Sequence, residues 1–227
     1  MGPNLWCWQP LCDTPSEIKK SLYHFKPNNT KDLENLQKKL AEIKETFVQY
    51  RKNMEYGVLV GMVRSVEECK AGINGLTASF RQISIKGAKG IFEESFVKRL
   101  LQPEFLKNLT ENTDESKSWE SKYGKSVNES LREFLVDNVG KPIDEFFTYL
   151  RKDHVQHCVP SNVSSGLATL PLSFVYVNNT ADKSRPTNKS LPTGEPLNGK
   201  KSYQQIVSYF TTNSMSLLIY ITWDLTC

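Results

Sequence analysis

Residues 33–54 read LENLQKKLAEIKETFVQYRKNM, and their apolar members Leu33, Leu36, Leu40, Ile43, Phe47, Tyr50 and Met54 recur at alternating steps of three and four. A helix turns once every 3.6 residues, so this spacing predicts a single apolar stripe along a helix of about 25 residues that starts after Asn29-Thr30. Lys38, Lys39, Glu42, Glu45 and Arg51 fall outside the stripe. The stripe can form the seam of a coiled coil, giving a helical interaction module able to self-associate, or it can lie on its own domain. Phe47 and Tyr50 suit a globular core better than the narrow seam between two helices.

Working outward, Ser65-Val-Glu-Glu68 has the form of a capping box. The serine hydroxyl and glutamate carboxylate there satisfy amides that the first helical turn leaves exposed. The helix it opens carries Val66, Cys69, Ile73, Leu76 and Phe80 on one face, with Gly72 and Gly75 on others. Each glycine costs about 1 kcal/mol relative to alanine in a helix, which suggests close packing of a neighbour. The ISIKGAKGI segment ending at Ile91 has neither a P-loop nor a dinucleotide fingerprint and reads as a connection. Phe92 to Leu106 reads as a helix broken near Pro103, followed by a polar stretch from Asn108 to Ser118. Val127 to Val136 and the run opened by Pro142 (Ile143, Phe146, Phe147, Leu150) read as two helices joined antiparallel by Asn138-Val-Gly140.

At Cys158 the composition shifts to Pro, Gly and Ser around one apolar run, Leu170 to Val177, which is expected as an isolated strand or extended segment. A last short helix is expected from Tyr203 to Phe210. The fold class is therefore mainly α: long amphipathic helices packed as an irregular bundle, with an extended Pro/Gly-rich segment near 158–200. The expected organisation is an irregular segment at 1–13, a helical domain at 14–214 and a divergent apolar tail at 215–227.

The chain has 227 residues, of which 38% are hydrophobic, enough for a real core. Lysine plus arginine number 29 against 25 acidic residues, interleaved along the chain, so no basic block marks a nucleic-acid partner. The first twenty residues lack the pattern of an export leader. No stretch approaches the roughly 20 apolar residues of a membrane helix, Leu217 to Trp223 being far too short.

Asn-x-Ser/Thr occurs at Asn28, Asn108, Asn128, Asn162, Asn178 and Asn188, each in or beside a polar stretch. Coincidence in an Asn-rich cytosolic chain is one reading. The other is N-glycosylation, which places the protein in the secretory pathway or outside the cell. Five cysteines, Cys7, Cys12, Cys69, Cys158 and Cys227, form no CxxC pair. Cys69 and Cys158 lie in the folded middle, where an oxidising compartment would allow them a disulfide closing a long loop.

Chemistry is sparse. The histidines are His24, His154 and His157. His154 and His157 stand three apart in DHVQHC and could share a helical face, but a two-histidine hydrolytic site wants His-Glu-x-x-His and a third ligand. They read instead as a surface helix end, where partly charged histidines suit the C-terminal dipole. There is no Gly-x-Ser-x-Gly elbow, and Glu67-Glu68 and Glu93-Glu94 are sequence neighbours that point apart on a helix. No catalytic, cofactor-binding or metal residue is assigned.

Gly166-Leu-Ala-Thr-Leu-Pro171, followed by Leu191-Pro-Thr-Gly-Glu-Pro-Leu-Asn-Gly199, Tyr203 and Tyr209-Phe-Thr-Thr212, resembles the middle of the large family named domain of unknown function 885. Asn53-Met-Glu-Tyr-Gly57 and Gly61-Met-Val-Arg-Ser-Val66 are similar to that family's preceding helices, so the resemblance covers residues 14 to 214. It implies a mainly helical fold and a metallopeptidase-like parent whose zinc is held by a later His-Glu motif. Those ligands have no counterpart here, so zinc is expected in the parent and not in this chain. The chain itself is then a non-catalytic N-terminal portion whose partner is the missing second half. After Thr212 the family's Thr-Pro-Glu-Glu-like helix start gives way to NSMSLLIYITWDLTC, expected of a truncated or mis-spliced product with an uncovered apolar face and poor solubility.

Overall fold

The computed structural model describes residues 14–23, 25–164 and 166–211. The expected N-terminal segment at 1–13, the tail at 215–227, His24, Cys7, Cys12 and Cys227 lie outside them. Nine α-helices and one two-stranded sheet are found among the described residues: α1 (Thr14–Tyr23), α2 (Thr30–Val60), α3 (Val66–Ser79), α4 (Arg81–Lys86), α5 (Pro103–Glu111), α6 (Thr113–Tyr123), α7 (Val127–Leu135), α8 (Lys141–Tyr149), β1 (Phe174–Val177), β2 (Thr180–Pro186) and α9 (Gly199–Thr211). The protein is mainly helical. Among these residues no helix is long and apolar enough to cross a membrane.

The chain divides into two compact units. Among the described residues, a helical unit takes those up to Lys52 together with Ala71–Lys152, and a hairpin unit takes Asn53–Lys70 and those from Asp153 onward.

In the helical unit the stripe from Leu33 to Tyr50 does what its spacing requires. Leu33, Leu36 and Leu40 have no exposed surface and Phe47 is buried, while Lys38, Lys39, Glu42, Glu45 and Arg51 face solvent. Phe47 packs edge-on against Phe80 and Phe146 at ring separations of 5.9 and 5.7 Å. Leu33, Leu36, Leu40 and Phe47 are thus taken up by the chain's own core, with Ile43 and Tyr50 half-buried beside them.

Four sequence expectations fail in this unit. The ISIKGAKGI segment is not a plain connection but α4 followed by a 3-10 helix, Gly87–Glu93, with Ile83 and Ile91 fully buried. Pro103 does not break a helix. It sits at the first turn of α5, where its missing N–H is no loss. The chain from Glu94 to Gln102 runs through turns instead, because Glu94 adopts extended backbone and its buried carboxylate accepts from the Gln82 and Ile83 amides at the start of α4.

The polar stretch after Asn108 is helical too. Asn112 caps α6 by accepting from the Glu115 amide, and Trp119 alone anchors that helix in the core, too thin a signal for periodicity to reveal. Its indole Nε1 donates to the buried Ser130 hydroxyl at 2.9 Å.

Asn138-Val-Gly140 is likewise no link between antiparallel helices. Backbone dihedrals stay right-handed helical at Val136, Gly140, Lys141 and Leu150, so α7 and α8 are one run joined by a π-turn, Val136–Gly140. A proline within a helix removes one i→i−4 bond and crowds a carbonyl one turn back; widening the register just before Pro142 relieves both. The Asn138 amide donates to the Phe134 carbonyl at 3.1 Å. Gly140 is required here, because a Cβ would overlap the Ala88 carbonyl.

The hairpin unit has its own core of Val58, Val63, Val159, Leu170, Leu172 and Val175. The apolar run ends in β1, paired antiparallel with β2 through Val175–Asp182, Tyr176–Ala181 and Val177–Thr180. Asn178 and Asn179 turn the corner with φ of 48° and 67°, as a two-residue type I′ turn demands.

The disulfide corner of the hairpin unit

Ser65 and Glu68 form the expected capping box: the Ser65 amide donates to the Glu68 carboxylate at 3.0 Å, and the Glu68 amide to the Ser65 hydroxyl at 3.2 Å. This fixes the first turn of α3 and with it Cys69. Beside it the Val66 amide donates to the Val159 carbonyl at 2.8 Å, and the Val159 amide to the Arg64 carbonyl at 3.0 Å. These two bonds hold Cys158 against Cys69, and the pair is disulfide-bonded with Cα atoms 6.5 Å apart. The bridge closes a separation of 89 residues.

His154 lies one turn before Cys158, at the end of a π-turn, Leu150–His154, that a 3-10 turn, Val155–His157, continues. The expectation of a charged surface helix end is wrong for this residue. His154 is only 8% exposed, and burial, with a smaller contribution from nearby His157, lowers its pKa to about 4. Burial strips water from the charged form, so the ring stays neutral at ordinary pH. His157 is half-buried and donates through Nδ1 to the Tyr176 carbonyl at 2.7 Å, tying the turn to β1. Among the described residues, Cys69, His154 and Cys158 form a group of candidate metal donors whose atoms all lie within 4.8 Å of one another, and all three are buried. With the sulfurs bonded to each other, the group holds a disulfide beside a neutral imidazole.

The sequence words behind the family resemblance meet in this unit. The Leu172 amide donates to the Gly61 carbonyl at 2.9 Å, the Gly199 amide to Leu170 at 3.0 Å, and the Tyr56 hydroxyl to the Ser190 carbonyl at 2.6 Å. Gly61, with φ +80°, lies so near the Leu172 backbone that no side chain fits. Asn198 caps α9, its side chain accepting from the Lys201 amide at 3.0 Å.

All six Asn-x-Ser/Thr asparagines are exposed. Asn178 is at the hairpin tip, Asn162 and Asn188 lie in irregular segments, Asn108 and Asn128 stand on α5 and α7, and Asn28 precedes α2. The Asn108 amide donates to the Asn28 side-chain oxygen at 2.7 Å. The corner residue that sequence reasoning missed is His154 as a neutral neighbour of the disulfide. Its i, i+4 spacing to Cys158 was the available signal.

The molecule is thus a mainly helical protein whose smaller unit is tied by a buried disulfide. The family model described as "Bacterial protein of unknown function (DUF885)" matches residues 10–225, and the chain belongs to that family. No curated protein and no solved structure matches it.

Proposed function

We propose that the chain is the non-catalytic helical scaffold of a secreted or membrane-tethered, N-glycosylated metallopeptidase-like protein, and that its hairpin unit forms part of the wall of the substrate cleft. The metallopeptidase character follows from the resemblance alone, and the zinc ligands it implies would lie outside this chain. One observation carries the scaffold reading. Four family words, at 53–57, 61–66, 166–171 and 191–199, lie in the same unit as the buried disulfide, and main-chain hydrogen bonds join the first to the second through Met62–Gly57 and the third to the fourth through Gly199–Leu170. Such rigid backbone suits a surface that must hold its shape beside a site. The exposure of every sequon asparagine supports passage through the secretory pathway, since a glycan can stand in water at each.

The test is secretion of the chain, behind an added export leader, from a eukaryotic host. Glycosidase-sensitive mass and a non-reduced peptide linking Cys69 to Cys158 are expected, with no chelator-sensitive peptide hydrolysis by the pure material. Absence of glycan together with free thiols would remove the secretory assignment, and chelator-sensitive turnover would remove the non-catalytic one.

A further inference from the structure

We propose that Cys69, Cys158 and His154 form a soft-metal site that is closed while the cysteines are oxidised and opens when they are reduced, taking a zinc-like divalent ion. The inference rests on the cysteine pair and holds whether or not the chain is secreted.

Three observations carry it. The first is placement: the three donor atoms lie within 4.8 Å of one another. Tetrahedral coordination, with Zn–S of about 2.3 Å and Zn–N of about 2.0 Å, needs donors roughly 3.5–3.8 Å apart. Once the S–S bond opens, rotation about the cysteine side chains supplies this spacing without moving the backbone. Secondly, the disulfide is not the only link between the two cysteine-bearing segments. The Val66–Val159 and Val159–Arg64 backbone bonds also join them, and the Ser65–Glu68 capping box fixes the first turn of α3 that carries Cys69.

Charge is the third. The three residues are 9%, 1% and 8% exposed, a setting in which lone thiolates would be costly. Two thiolates and a neutral imidazole around a divalent cation sum to zero charge, so the loaded site is compatible with burial where the empty dithiolate is not.

The chemistry balances with an external dithiol as reductant. Its two thiols give two electrons and two protons to the Cys69–Cys158 bond, forming two cysteine thiols and a disulfide in the reductant. The metal then displaces one proton from each cysteine thiol, making two metal–sulfur bonds and releasing two protons. In the oxidised state neither sulfur can act as a thiolate ligand, so the disulfide and the metal exclude each other.

The experiment uses the full chain reduced by a phosphine without oxygen, desalted and titrated with cobalt(II). A thiolate-to-cobalt charge-transfer band and tetrahedral visible bands are expected, saturating at a single cobalt per chain and displaced by zinc. The oxidised chain should give neither. The double variant Cys69→Ser/Cys158→Ser keeps Cys7, Cys12, Cys227 and all three histidines, and should lose the bands. His154→Ala should weaken binding by about tenfold or more, the scale set by loss of even indirect metal support. His157→Ala should leave it unchanged. Bands of equal strength in the double serine variant would assign the metal elsewhere and overturn the proposal. No saturable band in reduced protein would also overturn it, whether circular dichroism shows helicity kept or lost.

Discussion

Replacing Ser130 by alanine tests whether α6 is held by one buried hydrogen bond. Trp119 has no exposed surface, Ser130 is 3% exposed, and the indole N–H has the serine hydroxyl as its acceptor at 2.9 Å. Among the described residues no buried side-chain nitrogen or oxygen lacks a partner, so the alanine variant would create the exception. An orphaned buried donor costs its desolvation, about 1–3 kcal/mol, to which the lost hydroxyl volume adds little. At about 2 kcal/mol the melting temperature of a chain this size should fall by roughly 4–8 °C. The measurement is thermal and urea unfolding of non-glycosylated bacterial protein, because Ser130 also completes the Asn128 sequon. Asn128→Gln, which deletes the same sequon at an exposed position, should shift stability by less than about 0.5 kcal/mol. In Trp119→Phe/Ser130→Ala both polar groups are gone, so the two changes should cost less together than the sum of the singles. A shift of under about 1 °C for Ser130→Ala, or strictly additive singles, would refute the reasoning.

Three further outcomes follow from the same structure. Cys69→Ala/Cys158→Ala removes a cross-link spanning 89 residues, and the chain-entropy relation gives a loss of about 4–5 kcal/mol, read from the urea midpoint; under 1 kcal/mol would mean that the Val66–Val159 bonds already suffice. Gly140→Ala would gain about 1 kcal/mol from helix propensity if the site were open, but overlap with the Ala88 carbonyl should make it destabilising by about 1–3 kcal/mol; a raised melting temperature would show the approach to be looser. His154 has a folded pKa of about 4 against an ordinary 6.5, so the unfolded chain binds the extra proton. Its contribution is fully present above pH 6.5 and is lost as pH falls towards 4, amounting to roughly 3 kcal/mol; a stability profile over that range unchanged by His154→Gln would contradict the neutral, buried assignment.

What the sequence made legible is what local chemistry alone determines. The stripe from Leu33 to Tyr50 and the Ser65–Glu68 box are repeats and spacings within a few turns, and the structure places both as read. The failures share a different cause. Glu94 is a poor continuation of a helix only because its carboxylate is drawn to the amides of Gln82 and Ile83, twelve and eleven residues back. Asn138-Val-Gly140 looks like a link because glycine and a following proline usually end helices. It remains helical because a π-turn accommodates Pro142 and the Ala88 backbone occupies the space a side chain would need. The polar run around α6 hides a helix because Trp119 and its distant acceptor Ser130 do the work that a stripe does elsewhere.

The same distinction governs the disulfide corner. His154 and Cys158, four apart, are visible as a local pair, yet the meaning of His154 depends on Cys69, which arrives from 85 residues earlier on a helix whose first turn is capped by Ser65 and Glu68. A histidine read by sequence neighbours alone looks like a charged helix end beside Asp153 and His157. Read with the Cys69 sulfur within 4.8 Å of it, the same ring loses water before it can hold a proton, and burial outweighs the helix dipole. Long-range closure therefore sets the chemistry of this corner, and a substitution that leaves DHVQHC intact but loosens the first turn of α3, such as Ser65→Ala, should raise the pKa of His154 towards 6.5. Histidine ring resonances followed against pH would read this directly, and an unchanged midpoint in that variant would show that the local helix end, and not the capped turn of α3, keeps the imidazole dry.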